Sequence, residues 1–238
     1  MPVKSDQVPW LQYQWRKLAR PTIVTLDGLR VSTDPSFPSG ICRALYRGDY
    51  ERPERKLVAS VLRRDDRVLD IGTGLGVVAA TCGSIARDGA MLCYEANPRL
   101  LQFIEKNFAL NEIEAEVRNR AVTVDGEPVE FFFDDNIVSS SLIDRERGLL
   151  PERIESDSFE QVVSSFGPHV IVMDVEGAEV DLLPSADLQD VRAIVLEVHP
   201  HIVGADAIDR MTSRLAEVGL NADPEMHAKN TIVLRRGG

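Results

Sequence analysis

The chain has 238 residues, of which 44% are hydrophobic and 27% are charged, and this is the composition of an ordinary globular protein. Its 27 basic and 38 acidic residues give a net charge of −11 at pH 7; this argues against a general affinity for nucleic acid or anionic membranes, because both depend on clustered lysines and arginines. No apolar stretch reaches transmembrane length, and the first residues lack the apolar region of a signal peptide.

The first 49 residues are predicted to form an extension in front of the main domain. Trp10, Tyr13 and Trp15 lie close together there, and they either anchor the extension on its own domain or form a lid or a dimer contact. Residues 23–31 are predicted to form a hairpin that turns at an Asp-Gly pair. A loop is predicted at residues 35–40, where proline, serine and glycine cluster.

From residue 50 to residue 238, apolar runs alternate with amphipathic stretches, which predicts one α/β domain. Runs such as Val-Ile-Val-Met at residues 170–173 are apolar on both faces, so they belong in the middle of a covered sheet. The alternation predicts a doubly wound, mostly parallel sheet with right-handed crossovers. The predicted strands are residues 68–71, 91–95, 115–118, 129–133, 169–174, 193–198 and 231–234, and the predicted helices are residues 54–63, 77–86, 98–107, 158–165, 180–183 and 206–218.

The segment Val-Leu-Asp-Ile-Gly-Thr-Gly-Leu-Gly at residues 68–76 is typical of a strand, a tight turn and the start of a helix. Glycines let the backbone approach a ligand closely, and the helix start offers unpaired N–H groups. Asp70 precedes the glycines, and Glu95 ends the next strand, where an acid commonly binds ribose hydroxyls. The G-x-G-x-G spacing differs from the dinucleotide pattern G-x-G-x-x-G, and Asp70 would repel a pyrophosphate. The pattern therefore favours S-adenosylmethionine, whose ammonium suits Asp70, over NAD(P).

Acidic and imidazole side chains also follow two later strands. Strand alternation directs Asp174 and Glu176 to the same side, and likewise Glu197 and His199. Because burying several acids is costly, we expect a ligand, a proton-transfer site or a divalent metal site there. Glu197 and His199 are interpreted as a base oriented by a carboxylate. The alternative for Asp174 is that it is only the N-cap of the following helix. Glu179 is interpreted as a solvated helix residue.

These segments resemble the FkbM-type methyltransferases, a family of class I S-adenosylmethionine-dependent O-methyltransferases, from about residue 50 to residue 200. The glycine turn departs from the Gly-Ala-Asn-x-Gly that is common in that family. The resemblance implies a seven-stranded sheet with a reversed last hairpin. The segments that carry it, besides the glycine turn, are Tyr50-Glu51-x-x-Glu54, Tyr94-Glu95-Ala96-Asn97-Pro98, Asn119-Arg120-Ala121-Val122, Ser139-Ser140-Ser141-Leu142, Asp174-Val175-Glu176-Gly177-Ala178-Glu179 and Glu197-Val198-His199-Pro200.

The resemblance also implies a set of cofactor contacts. Glu95 would bind the ribose, Asn97 and Ala121 would border the adenine, and Asp174 would lie beside the transferred methyl. The residues expected to contact S-adenosylmethionine, with S-adenosylhomocysteine as the product, are Tyr50, Glu51, Asp70, Gly72, Thr73, Gly74, Gly76, Glu95, Ala96, Asn97, Ala121 and Asp174.

The expected reaction is methyl transfer to a hydroxyl of a small molecule or sugar. His199 or Asp174 would be the base, with Glu197 orienting His199. Glu176 would hold the acceptor or a metal ion, and Ser140 and Ser141 would contact the acceptor. The alternatives are a small-molecule N-methyltransferase and a non-catalytic cofactor-binding module.

No nucleic-acid or membrane partner is expected, and a homodimer remains an open alternative. The three cysteines are interpreted as buried apolar residues in a reducing, cytoplasmic compartment. The acceptor, the metal requirement and the oligomeric state are left open.

Overall fold

The computed structural model describes residues 8–133, 140–141 and 151–237. The strands in this part are β1 Ile23–Leu26, β2 Leu29–Ser32, β3 Arg67–Ile71, β4 Ala90–Tyr94, β5 Glu116–Arg118, β6 Ala121–Thr123, β7 Val129–Phe133, β8 Ser140–Ser141, β9 Pro151–Ile154, β10 Ser156–Ser158, β11 Val170–Met173, β12 Ala193–Glu197, β13 Leu220–Ala228 and β14 Thr231–Arg236. The helices are α1 Trp10–Ala19, α2 Ser39–Arg47, α3 Arg52–Val61, α4 Val77–Ile85, α5 Leu101–Leu110, α6 Phe159–Phe166, α7 Glu179–Leu182, α8 Pro200–Val203 and α9 Ala205–Glu217, and a short 3-10 helix spans Leu183–Ser185.

A seven-stranded sheet forms the centre of the protein. Its strand order is β13-β14-β12-β11-β3-β4-β5; β14 is antiparallel to both of its neighbours, and the other pairs are parallel. The apolar runs of β11 and β12 are buried in the middle of the sheet, because helices cover both of its faces. The predicted fold is therefore confirmed: it is an α/β, doubly wound, Rossmann-like fold, with a mostly parallel seven-stranded sheet and a reversed last hairpin.

The N-terminal region packs on the main sheet through α5. The predicted hairpin forms as β1 and β2, and it turns at Asp27 and Gly28, which both have positive φ, 49° and 91°. The Asn107 side-chain oxygen accepts the Ser32 backbone N–H at 2.7 Å, which ties the hairpin to α5. Helix α1 was not predicted, and the loop predicted at residues 35–40 is wrong at its end, because α2 begins at Ser39.

Some strands lie outside the central sheet. Strand β7, one of the seven predicted strands, does not join that sheet, where β13 takes the seventh place. It pairs instead with β8 and β9 in a three-stranded antiparallel sheet, and β6 pairs with β10 in parallel. Cys82 and Cys93 are buried, as predicted, whereas Cys42 is only partly buried, and all three cysteines are free thiols. Among the residues described, no helix combines the length and the apolar character needed to cross a bilayer.

Candidate functional site

The glycine turn between β3 and α4 forms the floor of the site. Gly72 has a φ of +85°, and a Cβ built on it would lie 1.8 Å from the carbonyl oxygen of Asp174. Only glycine therefore fits, because any side chain would collide with the backbone of the neighbouring strand end. Gly74 also has positive φ, and a Cβ there would meet nothing closer than the Glu51 carboxylate, at 3.9 Å. The turn thus leaves open space above Gly74 for a ligand.

Asp70 lies at the end of β3, with 3% of its surface exposed. The Thr73 hydroxyl donates a hydrogen bond of 2.6 Å to Asp70 Oδ2. Burial raises the pKa of Asp70 to about 6, while this hydrogen bond opposes the rise. A cation bound beside Asp70 would stabilise the carboxylate form, which suits the ammonium that was predicted to bind there.

Glu95 is held in a fixed position at the end of β4. Its Oε2 accepts the Gly74 backbone N–H at 2.7 Å, and its Oε1 accepts the Asn97 backbone N–H at 2.8 Å. Burial raises the pKa of Glu95 to about 7, and the two backbone hydrogen bonds act against it. Each carboxylate oxygen keeps a second lone pair, so Glu95 is preorganised to accept two further hydrogen bonds from a vicinal diol.

A cleft runs from the glycine turn to β6 and β7. We call it the glycine-turn cleft; it is lined by Ile71, Gly72, Gly74, Tyr94, Glu95, Ala96, Leu100, Arg120, Ala121, Val122, Thr123, Val129, Phe131, Asp174, Val175, Glu176 and Ala178. Its apolar walls and its carboxylates fit an adenosyl group and a sulfonium tail. Ala96 and Ala121 border the cleft. Asn97 is buried outside its lining, and its side-chain oxygen accepts the Arg99 N–H at 3.0 Å.

Some lining residues were not predicted as site residues. Val129 and Phe131 reach the glycine-turn cleft, and strand alternation places them on one side of β7. That alternation was visible in the sequence, but nothing there showed that β7 lies beside the cleft. Gly76, by contrast, does not border the cleft, because it packs against Ile104 and Phe108 of α5.

A smaller cavity, the acidic pocket, shares Gly72 and Asp174 with the glycine-turn cleft. It contains five carboxylates, those of Glu51, Glu54, Asp70, Asp174 and Glu197. Burial raises the pKa of Glu51 to about 8, the Tyr50 hydroxyl opposes this rise, and the carboxylate of Asp174 adds to it. Burial, followed by the carboxylate of Glu51, likewise raises the pKa of Tyr50. The acidic pocket therefore favours cationic or protonated groups.

His199 lies between carboxylates at the end of β12. Its Nδ1 is 3.5 Å from Glu179 Oε1, and its Nε2 is 3.6 Å from Asp174 Oδ1 and 4.0 Å from Glu176 Oε2. Glu179 Oε1 also accepts the His199 backbone N–H at 3.2 Å. The carboxylate that orients the ring is thus Glu179 rather than the predicted Glu197, which faces the acidic pocket.

Two predictions about the residues around His199 are wrong. Glu179 is 0% exposed, so its interpretation as a solvated helix residue is wrong. Its Oε2 accepts the Gly177 backbone N–H at 2.7 Å, and this contact turns the carboxylate inward. Glu197 and His199 follow one another at strand spacing, but β12 ends at Glu197, and the backbone leaves the extended conformation before His199. Strand alternation therefore does not direct the side chains of Glu197 and His199 to the same place.

The neighbouring charges shift the pKa values of this group. Contact with Glu179 raises the pKa of His199; burial opposes the rise, and Asp174 and Glu176 add to it. Burial and then the carboxylate of Glu197 raise the pKa of Asp174. The Asp174 side chain is nevertheless 49% exposed, whereas that of His199 is 6% exposed. Asp174 and Glu176, whose side chains are 49% and 39% exposed, are therefore the members of the group that a bound acceptor can reach.

The remaining predicted residues have no demonstrated role in the site. Ser140 and Ser141 form β8 and pair with Phe133 and Phe132, but their predicted contact with the acceptor concerns side chains outside the described part of the structure, as does Ser139. Within the described ranges, no group of three or more His, Cys, Asp or Glu side chains is arranged to hold a metal ion.

Glu95→Ala is expected to weaken S-adenosylmethionine binding by about 1–3 kcal/mol, because two charge-assisted hydrogen bonds to the ribose would be lost. Isothermal titration calorimetry gives the affinity directly. Glu105→Ala, an exposed residue of α5, is the matched control and should bind the cofactor normally. An affinity equal to that of the control would exclude Glu95 from cofactor binding.

Glu179→Gln is expected to lower the pKa of His199, because the negative charge that most favours the protonated ring is removed. The raised pKa of His199 stabilises the fold fully below the unfolded value near 6.5, and this contribution is lost as pH rises through the folded value. The variant should therefore lose stability mainly at low pH. Titration of the His199 ring by NMR tests the shift, with Glu217→Gln at the exposed end of α9 as the control. An unchanged ring pKa would contradict the contact.

The sequence comparisons identify a family model that matches residues 37–146, the TRM5/TYW2 methyltransferase domain. The matched residues include the glycine turn, Glu95 and Ala121. They confirm the predicted class of protein: the chain carries an S-adenosylmethionine-dependent methyltransferase domain, with S-adenosylmethionine as its cofactor. No curated protein sequence matches the chain.

Several solved structures are similar in fold at low sequence identity. A methyltransferase from Pyrococcus furiosus is 14% identical with a TM-score of 0.48, and 94% of each chain is covered. Precorrin-6y C5,15-methyltransferase from Geobacter metallireducens GS-15 is 10% identical with a TM-score of 0.47, covering 87% of this chain and 94% of that one. P. horikoshii TYW2 in complex with MeSAdo is 12% identical with a TM-score of 0.46, and the alignment covers 94% of this chain and 79% of that one.

The family match corrects the predicted acceptor and partner. TRM5/TYW2 proteins act on tRNA or RNA substrates, so the prediction of O-methylation of a small molecule or sugar is wrong, and so is the exclusion of nucleic acid. The FkbM resemblance is not supported by the comparisons. The exclusion of nucleic acid was wrong because it relied on the net charge of the whole chain. A total of −11 says nothing about where the basic side chains cluster.

Proposed function

We propose that the protein is an S-adenosylmethionine-dependent RNA methyltransferase that modifies a nucleoside of tRNA. The observation that carries this proposal is the match of residues 37–146 to the TRM5/TYW2 methyltransferase domain, whose family acts on tRNA or RNA. The matched segment contains the glycine turn and Glu95, which form the cofactor side of the site. A cytoplasmic location belongs to the same proposal, and the free thiols of the three cysteines support it.

The cofactor side of the site would be held by residues at two strand ends. Glu95 would accept hydrogen bonds from the ribose hydroxyls, and Asp70 would face the ammonium from the other side of the glycine turn. Ala96 and Ala121 would border the adenine. When bound, S-adenosylmethionine supplies a methyl group that is already activated by its sulfonium. The protein's main task is then to align the acceptor with it.

The acceptor atom needs a group that takes its proton during the transfer. We assign this role to Asp174, because its side chain is 49% exposed to the cleft and borders both the glycine-turn cleft and the acidic pocket. Its raised pKa makes the carboxylate a better proton acceptor near neutral pH.

His199 acts behind Asp174 as a positioning residue. Its Nε2 lies 3.6 Å from Asp174 Oδ1, while Glu179 contacts the opposite ring nitrogen. A protonated ring in this position stabilises the Asp174 carboxylate and fixes its orientation. Glu176 lies at the mouth of the site, 4.0 Å from the same ring nitrogen, where it could contact the acceptor nucleoside.

The experiment that tests this proposal is methyl transfer from [methyl-³H]S-adenosylmethionine to separate RNA fractions. Unmodified tRNA, ribosomal RNA and a mixture of small sugars and phenols are incubated with the purified protein, and the label in each is counted. We expect label in the tRNA fraction, released as a methylated nucleoside after nuclease digestion. Label in the small molecules alone, or in none of the fractions while the cofactor is bound, would overturn the proposal. The Glu95→Ala protein supplies the background.

A further inference from the structure

Helices α1 and α2 carry a surface of cations and aromatic rings that the methyl-transfer site does not use. We call it the basic aromatic face and define it as Tyr13, Lys17, Arg20, Arg43 and Arg47. Residues 8–47 contain six basic and two acidic side chains, a local charge of +4 in a chain whose total is −11. The positive charge is therefore concentrated at this end of the protein.

The cations of the two helices converge on one aromatic ring. Lys17 Nζ of α1 lies 5.6 Å from the centroid of the Tyr13 ring, and Arg47 Cζ of α2 lies 5.4 Å from it. Both are cation–π distances. Tyr13, Lys17, Arg20 and Arg43 also line one concave cavity, which includes a single acid, Asp34. The face is thus a shaped basic groove rather than a scatter of surface charges.

These cations are not neutralised by the protein. Within the ranges that the structure describes, none of Lys17, Arg20, Arg43 and Arg47 forms an ion pair with a carboxylate, whereas Arg64 pairs with Asp88 and Arg118 pairs with Glu116 at 2.6 Å. Four like charges held together repel one another. A polyanion that bridges them would relieve this repulsion and release its own counterions.

Helix α1 also carries two exposed tryptophans. Trp10 shares the side of α1 that carries Tyr13 and Lys17, whereas Trp15 lies about 200° around the helix from Tyr13. Trp10 is 69% exposed and Trp15 is 57% exposed, so neither ring anchors the extension on the domain. Exposed planar rings beside a basic groove are the elements that hold single-stranded RNA, because unpaired bases stack on the rings while the cations follow the phosphates.

The face is also close to the site along the chain. Arg47 ends α2, and Tyr50 and Glu51 follow directly, with Glu51 bordering the acidic pocket. The end of α2 is therefore separated from the wall of the acidic pocket by three residues of chain.

We propose that the basic aromatic face is a docking surface for single-stranded or looped RNA, with phosphates bound by the four cations and an unpaired base stacked on a tryptophan of α1. This inference rests on the proposed function, which makes RNA the substrate of the protein. A lipid surface is less favoured, because the cations come from two helices and surround a concave groove, whereas a membrane-binding helix lays one flat face on the bilayer.

The test uses the full chain with Lys17→Glu and Arg43→Glu together, and its probe is a fluorescein-labelled tRNA transcript. We expect the dissociation constant to rise at least about tenfold, and the slope of log K against log salt to fall by about 1.5, because two phosphate contacts are lost. The affinity for S-adenosylmethionine should stay at the wild-type value, which shows that the fold is intact. Arg210→Glu with Arg214→Glu, two exposed residues of α9, gives the same change in net charge and should keep wild-type RNA affinity.

A second readout comes from the intrinsic fluorescence. The chain has two tryptophans, and both lie on α1, so their quenching by tRNA reports on contact with this helix. Quenching in the wild-type protein and its absence in the Lys17→Glu, Arg43→Glu protein would support the proposal. Equal RNA affinity of the test and control variants, or no quenching on saturation with tRNA, would overturn it. So would a loss of binding to phosphatidylserine vesicles with RNA binding unchanged.

The outcomes separate this inference from the proposed function. If the wild-type protein methylates tRNA and the Lys17→Glu, Arg43→Glu protein does so with an unchanged KM, only the docking surface is wrong. If no RNA fraction is methylated or bound, both proposals fall together.

Discussion

Asp174→Asn is expected to lower turnover about 10²–10⁴-fold, because the asparagine amide cannot accept the proton that the acceptor atom loses. Asp174 is 49% exposed at the junction of the two cavities, whereas His199 behind it is almost fully buried. Single-turnover rates with saturating tRNA and cofactor measure the effect on the chemical step.

Controls distinguish this loss from a loss of binding. Calorimetry should find S-adenosylmethionine affinity within a few-fold of the wild-type value. Asp181→Asn, an exposed residue of the neighbouring α7, should retain wild-type turnover. Turnover of the Asp174→Asn protein at the wild-type rate would remove Asp174 from proton transfer. Because burial and nearby carboxylates raise the pKa of Asp174, wild-type turnover should increase as pH rises through that pKa, where the carboxylate form becomes populated.

Gly72→Ala is expected to abolish cofactor binding and to destabilise the fold by several kcal/mol. The added Cβ would lie 1.8 Å from the Asp174 carbonyl oxygen, so β11 and the glycine turn would have to separate. The left-handed conformation itself costs an alanine about 1–2 kcal/mol, and the backbone collision adds to this. Urea unfolding measures the free energy of unfolding, and calorimetry measures cofactor affinity.

Gly167→Ala supplies a matched control for Gly72→Ala. Gly167 ends α6 with a φ of +62°, and a Cβ there would meet nothing within 4 Å. Its replacement should cost only the conformational strain of about 1–2 kcal/mol and leave cofactor binding intact. Equal losses of stability in the two variants would show that the close approach of Gly72 to β11 has no energetic consequence.

The central sheet could be predicted from the sequence because its strands are continuous apolar runs. Val-Ile-Val-Met and Ala-Ile-Val-Leu are buried on both faces in β11 and β12, and such runs occur where a sheet is covered on both sides. The glycine turn and the acids at the ends of β3 and β4 were also predicted, since local sequence dictates a tight turn between a strand and a helix. Boundaries shifted by a few residues, as with α5, which begins at Leu101 rather than residue 98.

Other features depend on contacts that are distant in the sequence. Helix α2 was missed because its start lies in a Pro-Ser-Gly segment, and the burial of Leu45 and Tyr46 depends on neighbouring elements. Strand β13 was missed because Pro224 interrupts it; its register with β14 shifts between Ala222 and His227, and proline cannot donate to a ladder. The burial of Glu179 depends on the position of His199, 20 residues later in the chain, and no local pattern reveals that contact.

The site's charge also could not be judged from composition. A total of −11 includes the five carboxylates that line the acidic pocket, and none of these belongs to the basic aromatic face. Lys17, Arg20, Arg43 and Arg47 of the basic aromatic face are exposed instead. Electrostatic recognition depends on this local arrangement, and the sum over the chain averages it away.

The most direct measurement is a crystal structure of the protein with S-adenosylhomocysteine. Our account predicts the nucleoside in the glycine-turn cleft, with the ribose hydroxyls on Glu95, the amino group beside Asp70, and the sulfur facing the carboxyl group of Asp174. A nucleoside bound elsewhere, or one whose ribose does not contact Glu95, would contradict it.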